Sequence, residues 1–282
     1  AYAGSVGWYR TAITAPAPQP GGSWAIRFEQ ARRIADVWLD GRRLAHHEGS
    51  YEPFEVPADV LSDGRAHALV VRTDNRLRPG RRPDGWWNWG GLTRAVTLVP
   101  RDVLDTHDSA FLPERRCDPA AGTCSWTVLV DTTVENTGSA TMTPLLTGTL
   151  RGPDSSGAGR ASVRTRPLAP GEQAHVRFRV PVTGTAALWS PQRPQRYTAT
   201  LNVHDQAAPA TTVATDTARI GLRTVAVEDG LLAINDEPVQ LRGASIHEDE
   251  PGHGPALTDR DVRRIVSHLK ALGANVTRAH YA

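Results

Sequence analysis

Three stretches of this chain bring together side chains that could hold or transform a small polar molecule. In DGWWNWGGLTR (84–94), Trp86, Trp87 and Trp89 crowd beside Asp84, Asn88 and two glycines, a composition too glycine-rich for a regular central strand. Indole faces stack on the apolar faces of sugar rings, and a carboxylate accepts hydrogen bonds from hydroxyls. Asp84 and Trp87 could therefore frame a carbohydrate, or the stretch could equally plug a domain interface. In RGASIHEDE (242–250), Arg242 precedes His247, Glu248 and Asp249. These could hold a polar substrate, form a solvated acidic loop or begin a metal site, although the further ligands a metal would need cannot be placed. NVTRAHY (275–281) sets Arg278 and His280 on the same side of a two-residue repeat. There an uncharged imidazole could bond hydroxyls, or the pair could simply be the polar tip of a strand.

The two cysteines, Cys117 and Cys124, enclose the polar loop CDPAAGTC. They could be free thiols or a small disulfide ring; a pair this close in a polar loop has little packing rationale except as a disulfide, and no neighbouring His or Cys completes a zinc site. A disulfide favours a secreted or extracellular protein over a cytoplasmic one.

The elements that must position these groups are mostly strands. With 282 residues, 39% hydrophobic and 22% charged, the chain is too apolar for disorder and long enough for about two domains. No apolar run is long enough to span a membrane, and AYAGSVGWYR lacks the basic-then-apolar pattern of a signal peptide. A formal charge of +2 is too balanced for a nucleic-acid or anionic-membrane partner. The single methionine is Met142, from which a fragment or processed product is expected.

Residues 1–100 read as short alternating strands such as WAIRFEQ, ADVWLDG and HALVVRTDN, with Asp40-Gly41 and Asp63-Gly64 at turns. Residues 101–222 continue in strands richer in Thr, Val and Ser, spaced as in an immunoglobulin-like sandwich. Residues 223–282 change character. A hairpin turning at Asn235-Asp236 feeds a strand ending near Gly243; TDRDVRRIVSHLKALGA (258–274) follows, with Val262, Ile265, Val266, Leu269 and Leu272 at helical spacing. Thr258 and Asp261 form a capping box, Gly273 stops the helix, and a strand starts at Asn275. Strand, helix and strand with short loops open a parallel α/β unit.

ADVWLDGRRLAHHEGSYEPFEVP (35–57), GWWNWGGLTRAVTL (85–98) and LAINDEPVQLRGASIHEDEPGHG (232–254), in that order, resemble the N-terminal half of family 2 glycoside hydrolases. The resemblance implies a mainly β chain: a jelly-roll sugar-binding sandwich, an immunoglobulin-like sandwich, and the truncated start of a (β/α)8 barrel. It implies that Asp84 reaches the barrel mouth and contacts sugar, that His247 lines the sugar subsite, and that Arg242 and Gly243 shape the strand end. It gives Arg278 a role supporting the nucleophilic carboxylate and His280 one on sugar hydroxyls. The family takes both catalytic glutamates from later strands, one after an asparagine. No Asn-Glu dipeptide occurs here, so the chain is expected to be the inert part of a retaining β-galactosidase or β-glucuronidase-type enzyme. No cofactor is implied, the partner is a β-glycoside, and a homo-oligomer of the full-length enzyme is left open. A non-enzymatic carbohydrate-binding sandwich protein, using the tryptophan-rich loop, is the alternative.

Overall fold

The structure, a computed structural model, describes residues 4–18, 20–77, 87–209 and 211–278. It is mainly antiparallel β and groups into two units, Ala1–Pro100 with Leu241–Ala282, and Arg101–Gln240. The segment 223–282 is thus divided between them.

In the first unit, strands β1 (Val6–Thr14), β2 (Ser23–Phe28), β3 (Ala31–Arg32), β4 (Ile34–Leu39), β5 (Arg42–Glu48), β6 (Phe54–Pro57), β7 (Ala66–Asp74), β8 (Gly91–Leu92) and β9 (Val96–Arg101) follow the alternation read from sequence. They form a four-stranded sheet in the order β1-β7-β4-β5, a three-stranded sheet β6-β2-β9, and the short pair β3-β8. Inward positions from both larger sheets, among them Phe28, Val37, Val56, Leu69 and Val71, make one core. Asp40 and Gly41, both at positive φ, turn β4 into β5, the backbone that a tight antiparallel hairpin demands.

That turn is tied down by a buried imidazole. His67 Nδ1 lies 2.6 Å from Asp40 Oδ2 and His67 Nε2 lies 2.9 Å from Asp63 Oδ1. Both ring nitrogens can donate only as imidazolium; hydrogen bonds to Asp40 and then Asp63 raise the His67 pKa accordingly.

The middle unit contains β10 (Leu104–Asp118), β11 (Thr123–Asn136), β12 (Pro144–Arg151), β13 (Gly157–Arg164), β14 (Gln173–Pro181), β15 (Tyr197–Asp205) and β16 (Thr212–Ile220). Sheets β10-β11-β14 and β13-β12-β15-β16 enclose a core with Leu104, Val128, Leu146 and Leu201 fully buried. Cys117 and Cys124 face each other at the tip of the β10–β11 hairpin and are disulfide-bonded, with a Cα–Cα distance of 4.0 Å. A small sheet of β17 (Val225–Glu228), β18 (Leu231–Ile234) and β19 (Glu237–Pro238) ends the unit. Asn235 and Asp236 take positive φ at its second turn.

The remaining described residues, 241–278, hold one helix, α1 (Asp259–Ala271). The capping box is present: the Asp261 amide donates to the Thr258 hydroxyl and the Asp261 carboxylate accepts from the Thr258 amide. The parallel strands expected on either side are reduced to a bridge between Gly243 and Val276. Among the described residues Leu241 and Val276 stay 49% and 39% exposed, without the double-sided cover of a parallel strand.

Candidate functional site

The tryptophan-rich loop is fixed before it meets anything else. Asn75 Nδ2 donates to the Asn88 carbonyl at 2.9 Å, and Asn88 Nδ2 returns the bond to the Asn75 carbonyl at 3.0 Å. Thr93 Oγ1 donates to the buried Gln30 side chain at 2.5 Å. Just before the Asn88 anchor Trp87 stays 39% exposed, its ring 5.9 Å from that of Trp89 and tilted by 47°.

Trp89 and Arg94 then hold the loop that follows Gly243. The Trp89 ring lies where a side chain at Gly254 would go: a Cβ there would come within 2.8 Å of it. Only glycine permits this approach. Arg94 Nη1 donates to the Pro255 carbonyl at 2.5 Å, and Arg94 Nη2 lies 3.5 Å from Glu248 Oε2. Helix α1 secures the same loop from its other side through the Arg264–Glu250 ion pair and His253 Nε2, 3.0 Å from Asp261 Oδ2. Hydrogen bonds from Thr258, side chain first, and from His253 hold the Asp261 carboxyl far below the usual carboxylate range. A concavity of about 550 Å³ lies between Trp89 and residues 249–254, with Asp249 on its wall.

The expected site residues are placed as follows. Gly243 and Val276 pair in parallel, so His247 and Arg278, both exposed, leave the same end of that pair. Arg242 contributes backbone: its amide donates to Asn275 Oδ1 and its carbonyl accepts from the Asn275 amide, each at 2.8 Å. Trp87 stands beside Trp89, the residue that meets the strand-end loop. Asp84 and His280 lie outside the described residues. Arg94 and Gly254, which join the two loops, were not among the expected site residues; the only signal was an arginine closing GGLTR and a glycine-rich run after HEDE. The arrangement offers an aromatic face, guanidinium and imidazole donors, and carboxylate acceptors, a set suited to a hydroxyl-bearing ligand. Among the described residues no three His, Cys, Asp or Glu side chains converge as metal ligands.

Two antiparallel sandwiches followed along the chain by one parallel bridge and its connecting helix define a multidomain, mainly β protein. Residues 116–223 match the model of glycosyl hydrolases family 2, and residues 225–282 match the model of that family's TIM barrel domain. The chain belongs to glycosyl hydrolase family 2. It is 28% identical to a beta-galactosidase of Thermoanaerobacter pseudethanolicus, over 98% of this chain and 36% of that protein. It is 26% identical to a putative beta-glucuronidase of Formosa agariphila, over 98% of this chain and 25% of that protein. Among solved structures it resembles Bacteroides uniformis beta-glucuronidase 2 covalently bound to cyclophellitol-6-carboxylate aziridine, with a TM-score of 0.84 at 23% identity, covering 98% of this chain and 33% of that one. A putative beta-galactosidase from Bacteroides fragilis gives 0.81 at 19% identity, covering 98% and 41%. The chain therefore spans about a third of the length of several relatives it matches, 36% and 33% in the first of each comparison.

Proposed function

We propose that this chain is the substrate-framing part of a retaining glycoside hydrolase that cleaves terminal β-glycosidic bonds, of β-galactosidase or β-glucuronidase type. The observation that carries this reading is the fastening of the tryptophan-rich loop onto the strand-end loop by Trp89 and Arg94. It holds the loop bearing His247 at the carboxyl end of the first parallel strand, where barrels of this kind bind substrate.

Within this reading His247 and His280 bond sugar hydroxyls, Arg278 supports the nucleophilic carboxylate, Asp84 and Trp87 close over the sugar, and Arg242 shapes the strand end. Retention requires two carboxylates about 5–5.5 Å apart, one cycling between acid and base and one forming the glycosyl-enzyme. Glu248 is engaged with Arg94, and neither it nor Asp249 fills either role; both come from glutamates on later barrel strands. The disulfide at the β10–β11 tip supports an oxidising, extracytoplasmic location.

The test uses the enzyme whose reading frame contains these residues, assayed on aryl β-galactoside and aryl β-glucuronide with the product anomer read by NMR. Retained β-configuration is expected, with His247→Ala and Arg278→Ala each lowering kcat/KM about ten- to a hundredfold. An inverted product, or unchanged kcat/KM in both variants, overturns the reading.

A further inference from the structure

The outer face of the sheet β1-β7-β4-β5 carries an aromatic platform that the loops described above do not use. Alternation sends Val37, Leu39, Leu69 and Val71 into the core, and turns Trp8, Arg10, Asp36, Trp38, Val70 and Arg72 outward. Across three strands the register aligns Trp8 with Arg72 and Asp36, and Arg10 with Val70 and Trp38. The indoles of Trp8 and Trp38 reach toward each other over β7 and stack, centroids 5.6 Å apart and planes inclined by 27°. Trp8 remains 63% exposed.

The polar groups around this pair are already ordered. Asp36, its side chain 9% exposed, accepts from Arg72 Nη1 at 2.9 Å, meets His46 Nδ1 at 2.7 Å and is also paired with Arg43. Burial pushes the Asp36 carboxyl up, but the bonds from His46, Arg43 and Arg72 outweigh it and hold the pKa below its ordinary value. Arg72 is further fixed by Asp74 at 2.7 Å. Arg10 differs: it is exposed, and its guanidinium has no hydrogen bond or ion pair among the described residues.

The size and charge of this face select its occupant. Two indoles offer at most about 150–250 Å² each, well short of the ~800 Å² per partner of a stable protein interface. A protein partner would also have to desolvate Arg10, Arg43, Arg72 and His46 around that small apolar centre. A pyranose ring needs no more apolar surface than the exposed indole of Trp8 offers, laying its C–H face there while its hydroxyls stay wet. The guanidinium of Arg10, without a partner among the described residues, complements a carboxylate on that ring, in the bidentate geometry arginine favours. We propose that this face is a further carbohydrate-binding surface, one that takes a uronate-bearing oligosaccharide with a ring on Trp8 and Trp38 and its carboxylate on Arg10.

This surface needs no hydrolytic activity, so its test is separate from that of the glycosidase reading. The full chain is titrated with tetragalacturonate and with a neutral β-galacto-tetraose, following tryptophan fluorescence and calorimetry. Tetragalacturonate is expected to bind more tightly than the neutral chain, and Trp8→Ala to weaken it about tenfold. Arg10→Gln should abolish the preference for the acidic ligand and leave neutral binding unchanged. Trp89→Ala should alter neither. Trp8 is largely exposed, so Trp8→Ala keeps the fold, which an unchanged circular dichroism melt checks. No binding of either chain, an affinity left unchanged by Trp8→Ala, or equal affinity for both ligands overturns the proposal. So does sedimentation showing a dimer that Trp8→Ala dissolves, because the platform's occupant would then be a second copy.

Discussion

The middle sandwich and the segment 241–278 differ in how much of their apolar surface the described residues cover. In the sandwich, Val128, Leu146 and Leu201 are fully buried between two sheets, and each inward position is committed to the core. In the C-terminal segment the corresponding apolar residues face out: Val262 is 47% exposed, Val266 44% and Leu272 76%. What shapes that segment is polar: the capping box of α1, the Glu250–Arg264 pair, the His253–Asp261 contact and the grip of Arg94. The difference teaches that the sandwich completes its own hydrophobic core, whereas the described part of the barrel domain, in a chain that spans about a third of its relatives' length, is shaped by directional contacts between loops.

The contrast is sharpest in paired truncations. Leu201→Ala on central strand β15 should cost about 2–5 kcal/mol of unfolding free energy in urea. Val262→Ala on α1 should stay within ~0.5 kcal/mol. Comparable losses at both positions would erase the distinction. An effect between these two is expected from Thr258→Ala, which removes the cap and should weaken α1 by about 1 kcal/mol. Its signature is faster amide exchange confined to residues 259–271, with the protection of β11 and β15 unchanged; a global loss of protection would mean that the segment and the sandwich share one cooperative core.

The smallest predicted effect is a change of slope. His67 is raised above its ordinary 6.5 by its bonds to Asp40 and Asp63, so its contribution to stability is complete below that pH and fades as pH rises through the folded value. Asp40 and Asp63 are lowered from 3.8, chiefly by hydrogen bonds from His67. Their contribution is present above 3.8 and fades as pH falls through their folded values. The clamp is thus strongest between those two ordinary values. His67→Gln should flatten the fall of the urea midpoint above pH 6.5; an unchanged slope would show that the imidazole does not bridge the two carboxylates.

Much of the sandwich architecture was legible because alternation is a local signal. WAIRFEQ, HALVVRTDN and QRYTATLNVHD became β2, β7 and β15 with small shifts at their ends, and Thr258 with Asp261 announced the start of α1. Less was legible where the structure depends on distant backbone. The acceptor for Arg94 is a carbonyl, Pro255 O, and a carbonyl has no residue type to recognise. The parallel strands were written as continuous runs, yet pairing survives at Gly243 and Val276 alone among the described residues there, because the side chain of Asn275 and the hydroxyl of Thr277 take up backbone groups of Arg242 and Ala244. The Trp8–Trp38 stack was invisible for a similar reason: the two rings meet diagonally across a third strand, a relation that only the register reveals.

The contact of Trp89 with Gly254 has a consequence for how chains of this kind can diverge. The indole occupies the volume that any side chain at 254 would need, so the two positions are not free to vary separately. A smaller residue at 89 would make room for alanine or serine at 254, while a side chain at 254 opposite an intact tryptophan would push the strand-end loop away. Substitutions at the two positions should therefore be found together in related sequences, leaving a paired evolutionary trace between two stretches that lie far apart along the chain.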